Sequence, residues 1–406
     1  MKVSHLVLLP KKETESGSVE ISSQLRLAGH RPTEFFFRLP KGIYDSRMEV
    51  NANHHLLAML MPAMRVGGRL KIAGVVDPML LKNLNQYMHY WIRWCPDRLK
   101  ILEIEADGYQ TMRSASEPAM ISCFSGGVDS MYSFLRAEKD LGTPLKTLLF
   151  LHGFDIDIKR REYSEKLVTQ YRAWLQARSS RVNLISLVTN AREISDKFQL
   201  KWGRMAHGIY LAACMHLFSH QHTLGCIASS DSPSTLIYPW GSTPVTDPLL
   251  STSALSMHHH DCMVTRFEKI QELVKNPDCC SLLRVCYRID GQEANCGRCG
   301  KCLRSLIAMH VAEPDSWREA FPSVKNFDGV MDQISRMRFD RWMIEQLDDA
   351  RNFALRRCET SHACELNALI ENKHQGVRSV KNQLSRLFYD AKVRLYSRYP
   401  SLIKKS

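Results

Sequence analysis

Six consecutive residues, Ser125-Gly126-Gly127-Val128-Asp129-Ser130, carry the sharpest chemical content of this chain. They stand between a short apolar run, Ala119–Phe124, and a helical pattern, Ser130–Lys139. Two glycines let the backbone approach a phosphate closely. A helix start adds unpaired N–H groups and the positive end of the helix dipole. The hydroxyls of Ser125 and Ser130 can donate to phosphate oxygens. Asp129 would repel a phosphate directly, but it makes sense with Mg²⁺ between the two. No Gly-Lys-Ser/Thr follows, so this is not a Walker A loop. A serine-capped glycine turn accounts for four of the six residues and not for the whole hexamer.

The second constellation is Cys286-x9-Cys296-x2-Cys299-x2-Cys302. Four thiolates at this spacing fit a tetrahedral Zn²⁺ with Zn–S bonds of about 2.3 Å. Gly297 and Gly300 permit the tight turns that bring successive sulfurs to one ion, and Arg298, Lys301 and Arg304 offset the thiolate charge. A closed four-cysteine site is normally structural, and an iron–sulfur cluster is the alternative occupant. Weaker candidates are His258-His259-His260-Asp261, which could bind metal or phosphate but reads more readily as a polar loop, and Cys262, Cys279 and Cys280, which could be redox-active but read more readily as buried inert thiols.

Positioning these residues requires an alternation of strands and helices. Strand signals occur at residues 119–124, 145–151, 182–188 and 224–228, with helical patterns at 130–139, 162–177 and 206–218 between them. Such alternation predicts a parallel sheet with right-handed crossovers and ligands at the carboxyl ends of its strands. Residues 1–115 read as an α+β unit, with strands at 3–9, 34–39, 70–75 and 99–104 and helices at 56–64 and 78–94. Thr111–Pro118 reads as a linker. Residues 311–406 read as helical, with long amphipathic stretches at 330–356 and 379–397. The expected divisions are therefore 1–115, 116–310 and 311–406.

The 406 residues include 55 Lys plus Arg against 42 Asp plus Glu, an excess of 13 positive charges that points to an anionic partner. A surplus of 8 lies in residues 351–406, where RNA could be held. Hydrophobic and charged fractions of 44% and 24% exclude a disordered, collagenous or coiled-coil chain. Thirteen unevenly spaced cysteines argue for a reducing compartment. The start of the chain does not read as a signal peptide, and the apolar window 56–64 is too short to span a bilayer. The expectation is a cytoplasmic protein with no membrane contact.

The hexamer resembles the pyrophosphate loop of the PP-loop ATP pyrophosphatases. With the Cys-Tyr and Cys-x2-Cys-x2-Cys elements, residues 119–310 look like 7-cyano-7-deazaguanine synthase. Segments 150–153, 203–204, 227–231 and 265–270 agree more loosely. The resemblance implies a Rossmann-like (HUP/PP-loop) α/β fold, bound ATP, Mg²⁺ and Zn²⁺, and adenylation of a 7-carboxy-7-deazaguanine. It places ATP on Phe124, Ser125, Gly126, Gly127, Val128, Asp129, Ser130, His152 and Gly153. It places chemistry on Ser125, Asp129 and Ser130, with Arg204 or Lys269 neutralising charge. The substrate would meet Ser229, Ser230 and Asp231. The family's Gly-Tyr-Pro-Asp substrate loop is replaced by residues 238–248, where a flat base could stack on Trp240 and bond Asp247. The chain is also about twice the family's usual length. Long relatives in bacterial anti-phage systems imply transfer to an amine of a partner protein, whereas the synthase uses ammonia. Two other readings stand beside this one: a PP-loop tRNA-modifying enzyme and a non-catalytic nucleotide-binding scaffold.

Overall fold

A computed structural model describes residues 2–371 except 16, 234–235, 237, 287–294, 338, 340 and 359–362. The predicted stretch 379–397 lies outside the described residues. The chain separates into two compact units, Met1–Asn295 and Cys296–Ser406.

The first unit is built on one sheet of eleven strands. In chain order they are β1 (Val3–Leu8), β2 (Lys12–Glu13), β3 (Ser18–Arg26), β4 (Thr33–Pro40), β5 (Gly68–Val76), β6 (Leu102–Tyr109), β7 (Met120–Cys123), β8 (Leu145–His152), β9 (Asn183–Thr189), β10 (Leu224–Ala228) and β11 (Ser256–His260). The helices are α1 (Asn53–Met64), α2 (Pro78–Trp94), α3 (Val128–Leu141), α4 (Arg161–Ala177), α5 (Ala191–Lys197), α6 (His207–His216), α7 (Arg266–Val274) and α8 (Pro277–Ser281). The strand order is β11-β10-β7-β8-β9-β4-β3-β1-β5-β6, with β2 on β3. Strands β11 through β9 are all parallel, as the helical crossovers require. Strands β9, β4, β3 and β1 pair antiparallel, and β1, β5 and β6 return to parallel. The fold is thus α/β with a mostly parallel, Rossmann-like sheet.

From β7 the chain moves to β8 and β9 on one side, then to β10 and β11 on the other. That reversal is the switch point at which open α/β sheets bind ligands, and the loop leaving β7 sits there. A single core runs from Leu6 to Met257, in which α1 packs against α6 and Phe35 stacks on Tyr210 at 6.1 Å. The segment between β6 and β7 is tied down: Met112 N donates to Asp77 Oδ2 (3.0 Å) and Ser114 Oγ to Ala254 O (3.0 Å).

Three expectations are corrected. Residues 258–260 are not a polar loop but the end of β11, in register with Cys226, Ile227 and Ala228 of β10. A run of histidines lacks an apolar strand signal, yet His259 and His260 are buried, each held through Nδ1 by a specific side chain, Asp247 and Ser133 respectively. The strand expected at 99–104 begins three residues later, at Leu102. In the second unit, the stretch 330–356 is not one helix. After α9 (Gly300–Ala312) and α10 (Trp317–Ala320), α11 (Asp328–Ser335) ends before α12 (Arg341–Arg356). The last turn of α11 tightens to Arg336 N–Gln333 O and Met337 N–Ile334 O bonds, which close the helix without a proline or glycine. Among the described residues no helix is long and apolar enough to cross a membrane.

Candidate functional site at the switch point

Strand β7 ends at Cys123 and α3 begins at Val128, so the glycine pair forms the joint. Gly126 has φ +74°, and any Cβ there would run into the Tyr171 hydroxyl of α4. Glycine is therefore required by both backbone and packing. Ser130 Oγ donates to Gly127 O (3.1 Å), accepts from Ser125 N (3.2 Å) and lies 3.2 Å from Ser125 Oγ. Gly127, the N-cap of α3, supplies no side-chain acceptor, which leaves first-turn N–H groups for an anion. Phe124 is buried edge-on to Tyr171 at 5.1 Å and anchors the loop from behind.

Three cations converge on this loop. Arg266 Nη2 donates to Asp129 Oδ2 at 2.5 Å. Lys269, 2% exposed, donates to Ser229 O (2.6 Å) and lies 3.6 Å from Asp129 Oδ1. Burial pulls the Lys269 pKa down, and the Asp129 carboxylate pushes it back up. Both cations ride on α7, whose start is fixed by a reciprocal capping box between Thr265 and Glu268. Arg284 donates from its backbone N to Gly126 O (2.7 Å) and from Nε to Ser125 O (3.2 Å). Its buried guanidinium lies 3.8 Å from Asp155. The arrangement suits a polyanion at the start of α3.

A cavity of roughly 190 Å³ opens at the loop. Ser125, Gly127, Asp129, Ser130 and Arg284 line it, together with Phe154, Trp202 and His207. It is smaller than the about 300–1,000 Å³ typical of pockets that enclose drug-sized ligands, so a larger ligand would lie partly outside it. Arg284, Phe154, Trp202 and His207 join the site without a local sequence signal, and Arg266, within the loosely agreeing segment 265–270, joins it with no role expected of it.

Other sequence candidates fall elsewhere. Arg204 is exposed on the wide turn Trp202–Ala206 and does not line the cavity. His152 donates from Nε2 to Asp157 O (2.9 Å), and burial lowers its pKa. It lines a different cavity of roughly 320 Å³, together with Arg38, Arg161 and Arg172. Gly153 has φ +103°, and a Cβ there would collide with Thr189 O. Ser229 contributes its carbonyl to Lys269, while its hydroxyl donates to Asp231 O (2.8 Å). Ser230 donates to Asp231 Oδ2 (2.6 Å) and accepts from Trp240 Nε1 (3.2 Å). Trp240 stands edge-on to His207 at 5.7 Å, which brings it beside the cavity wall. Asp247 is fully buried and committed to Ser242 Oγ (2.6 Å), Thr243 N (3.2 Å) and His259 Nδ1 (2.8 Å).

The four cysteines do come together. One sulfur each from Cys286, Cys296, Cys299 and Cys302 lies within 4.8 Å of the others. Cys296 Sγ and Cys302 Sγ are 3.8 Å apart, about the edge of a tetrahedron with 2.3 Å metal–sulfur bonds. Asn295 Oδ1 accepts from the backbone N of Val285 and Cys286 and fixes the approach to the first thiol. Gly297, at φ +65°, turns the chain, and Cys299 caps α9, so its first turn presents Cys302. The helix start favours thiolates. This is a candidate metal centre with a donor set compatible with zinc. No family model, curated protein or solved structure matches the chain.

Proposed function

We propose that the chain is an ATP-dependent ligase that activates a carboxylate by adenylation and passes the acyl group to an amine. The observation that carries this reading is the Ser125–Ser130 loop at the sheet's switch point, with Lys269, Arg266 and Arg284 around it. Loop N–H groups and the Ser125 and Ser130 hydroxyls would hold the β and γ phosphates. The cations would take up charge as pyrophosphate leaves. Asp129 Oδ1 is buried and accepts no hydrogen bond among the described residues, which fits one carboxylate contribution to Mg²⁺. Bound there, Mg²⁺ would supply charge neutralisation on the phosphates. A carboxylate oxygen attacks the α phosphorus, the α–β bridging bond breaks, and an amine then displaces AMP from the acyl carbon.

The motif resemblance favours a 7-carboxy-7-deazaguanine-like substrate, with ammonia or a partner-protein amine as acceptor. The four-cysteine centre, closed by its ligand count, would be structural. The test is ATP–pyrophosphate exchange. Exchange should require the carboxy-deazaguanine and fall by at least about 100-fold in Asp129→Ala. Unchanged exchange in that variant rejects the loop assignment. The surplus of 8 positive charges in residues 351–406 favours one competing reading, RNA modification. Salt-steep tRNA binding that is lost on removing residues 372–406 would select it.

A further inference from the structure

Farther along α3 from the loop, a second cluster gathers around the end of β11. His260 ends that strand and is 2% exposed. Its Nδ1 lies 3.0 Å from Ser133 Oγ. Its Nε2 is buried with no hydrogen-bond partner among the described residues, and Asp140 Oδ2 stands 3.5 Å away. Asp261 follows in the left-handed conformation, φ +57°, which turns the chain just after the strand. One ligand atom from each of Asp140, His260 and Asp261 lies within 4.8 Å of the others.

Every member of this trio is held by a neighbour. Ser133 fixes the ring of His260. Tyr132 OH donates to Asp261 Oδ2 at 2.6 Å. Arg136 Nη2 donates to Asp140 Oδ1 at 3.1 Å, which leaves Oδ2 toward the imidazole. Tyr132, Arg136 and Asp140 recur every four residues and so share one face of α3. Oriented ligands with outer hydrogen bonds are how proteins build metal sites.

We infer that Asp140, His260 and Asp261 form a binding site for a divalent first-row cation, separate from the four-cysteine centre. One imidazole and two carboxylates suit Zn²⁺, Mn²⁺ or Co²⁺, with the remaining positions taken by water. Asp140, about a quarter exposed, gives the ion its entrance. Once bound, the ion ties β11 to the helix whose first turn carries Asp129 and Ser130.

The test is a Co²⁺ titration of the reduced, metal-stripped full chain. Cobalt on thiolates gives intense sulfur-to-metal charge-transfer absorption, whereas a nitrogen–oxygen site gives only weak d–d bands. Two equivalents are expected, one of each kind. His260→Ala should retain only the thiolate equivalent. Because His260 is buried, Asp140→Asn, at the exposed end, serves as the second variant and should give the same loss. Tyr132→Phe should keep both and weaken the second by roughly 10–100-fold. A wild-type chain that binds only the thiolate equivalent overturns the proposal, as does an Asp140→Asn chain that still binds two with unchanged affinity. A missing thiolate band with the weak bands intact counts against the four-cysteine centre and supports this one.

Discussion

At Gly126 a single hydrogen atom decides whether the loop can form. Its positive φ and the Tyr171 hydroxyl beside it leave no place for a methyl group. Gly126→Ala should therefore destabilise the protein by roughly 1–3 kcal/mol and sharply reduce ATP-dependent exchange. Gly127 has an ordinary φ of −80°, and a Cβ there meets Ser125 Oγ at 3.3 Å. Gly127→Ala should cost clearly less, and equal losses of stability in urea denaturation would refute the steric account. The hexamer and the cysteine spacing were legible because their chemistry is local. Arg266 and Arg284 were not, since they reach the loop across 137 and 159 residues of chain. The trio around His260 was half legible: the run 258–261 offered metal ligands, whereas Asp140 comes to it from α3 and looks in sequence like an ordinary polar residue.

Helix α1 is buried along its whole length, including Asn53, His54 and His55. The apolar run 56–64 announced it; the polar first turn did not. Strand β3 was missed because Ser22 and Ser23 are buried where apolar residues are expected. Burial pushes the His55 pKa down to about 3 and that of His216, on the neighbouring α6, down to about 4; His54 is lowered as well. The folded chain thus binds fewer protons than the unfolded one once pH drops below the ordinary histidine value of about 6.5. Stability should be level above that pH and fall below it, by up to about 1.4 kcal/mol per pH unit for each of these histidines. Urea unfolding at pH 7 and pH 5 checks this. Equal midpoints at the two values, or a higher one at pH 5, would contradict it.

For the first unit as a whole, the decisive contact is the antiparallel pairing of β4 with β9, through Phe37–Thr189 and Arg38–Val188. Asn190 fastens this seam. Its Oδ1 accepts from Phe36 N (3.1 Å) and its Nδ2 donates to Glu34 O (3.0 Å). Asn190→Ala strands both backbone groups and should cost about 2 kcal/mol. The urea midpoint should fall while the denaturant slope stays the same. Alternating strand and helix signals foretold the parallel half of the sheet. They could not foretell that one sheet and one core continue past residue 115, because the seam joins residues 150 apart and each flanking segment satisfies its own local pattern.

The same seam sets a schedule for synthesis. Strand β4, with sequence TEFFFRLP, leaves the ribosome long before β9, and until β9 follows it has no partner on that side. At about 5–20 residues per second, the open edge persists for roughly 10–30 s. During that interval three adjacent phenylalanines and a row of unpaired amides are available to any neighbouring nascent chain. Crowded polysomes, rather than the finished fold, are where this chain is most exposed to aggregation.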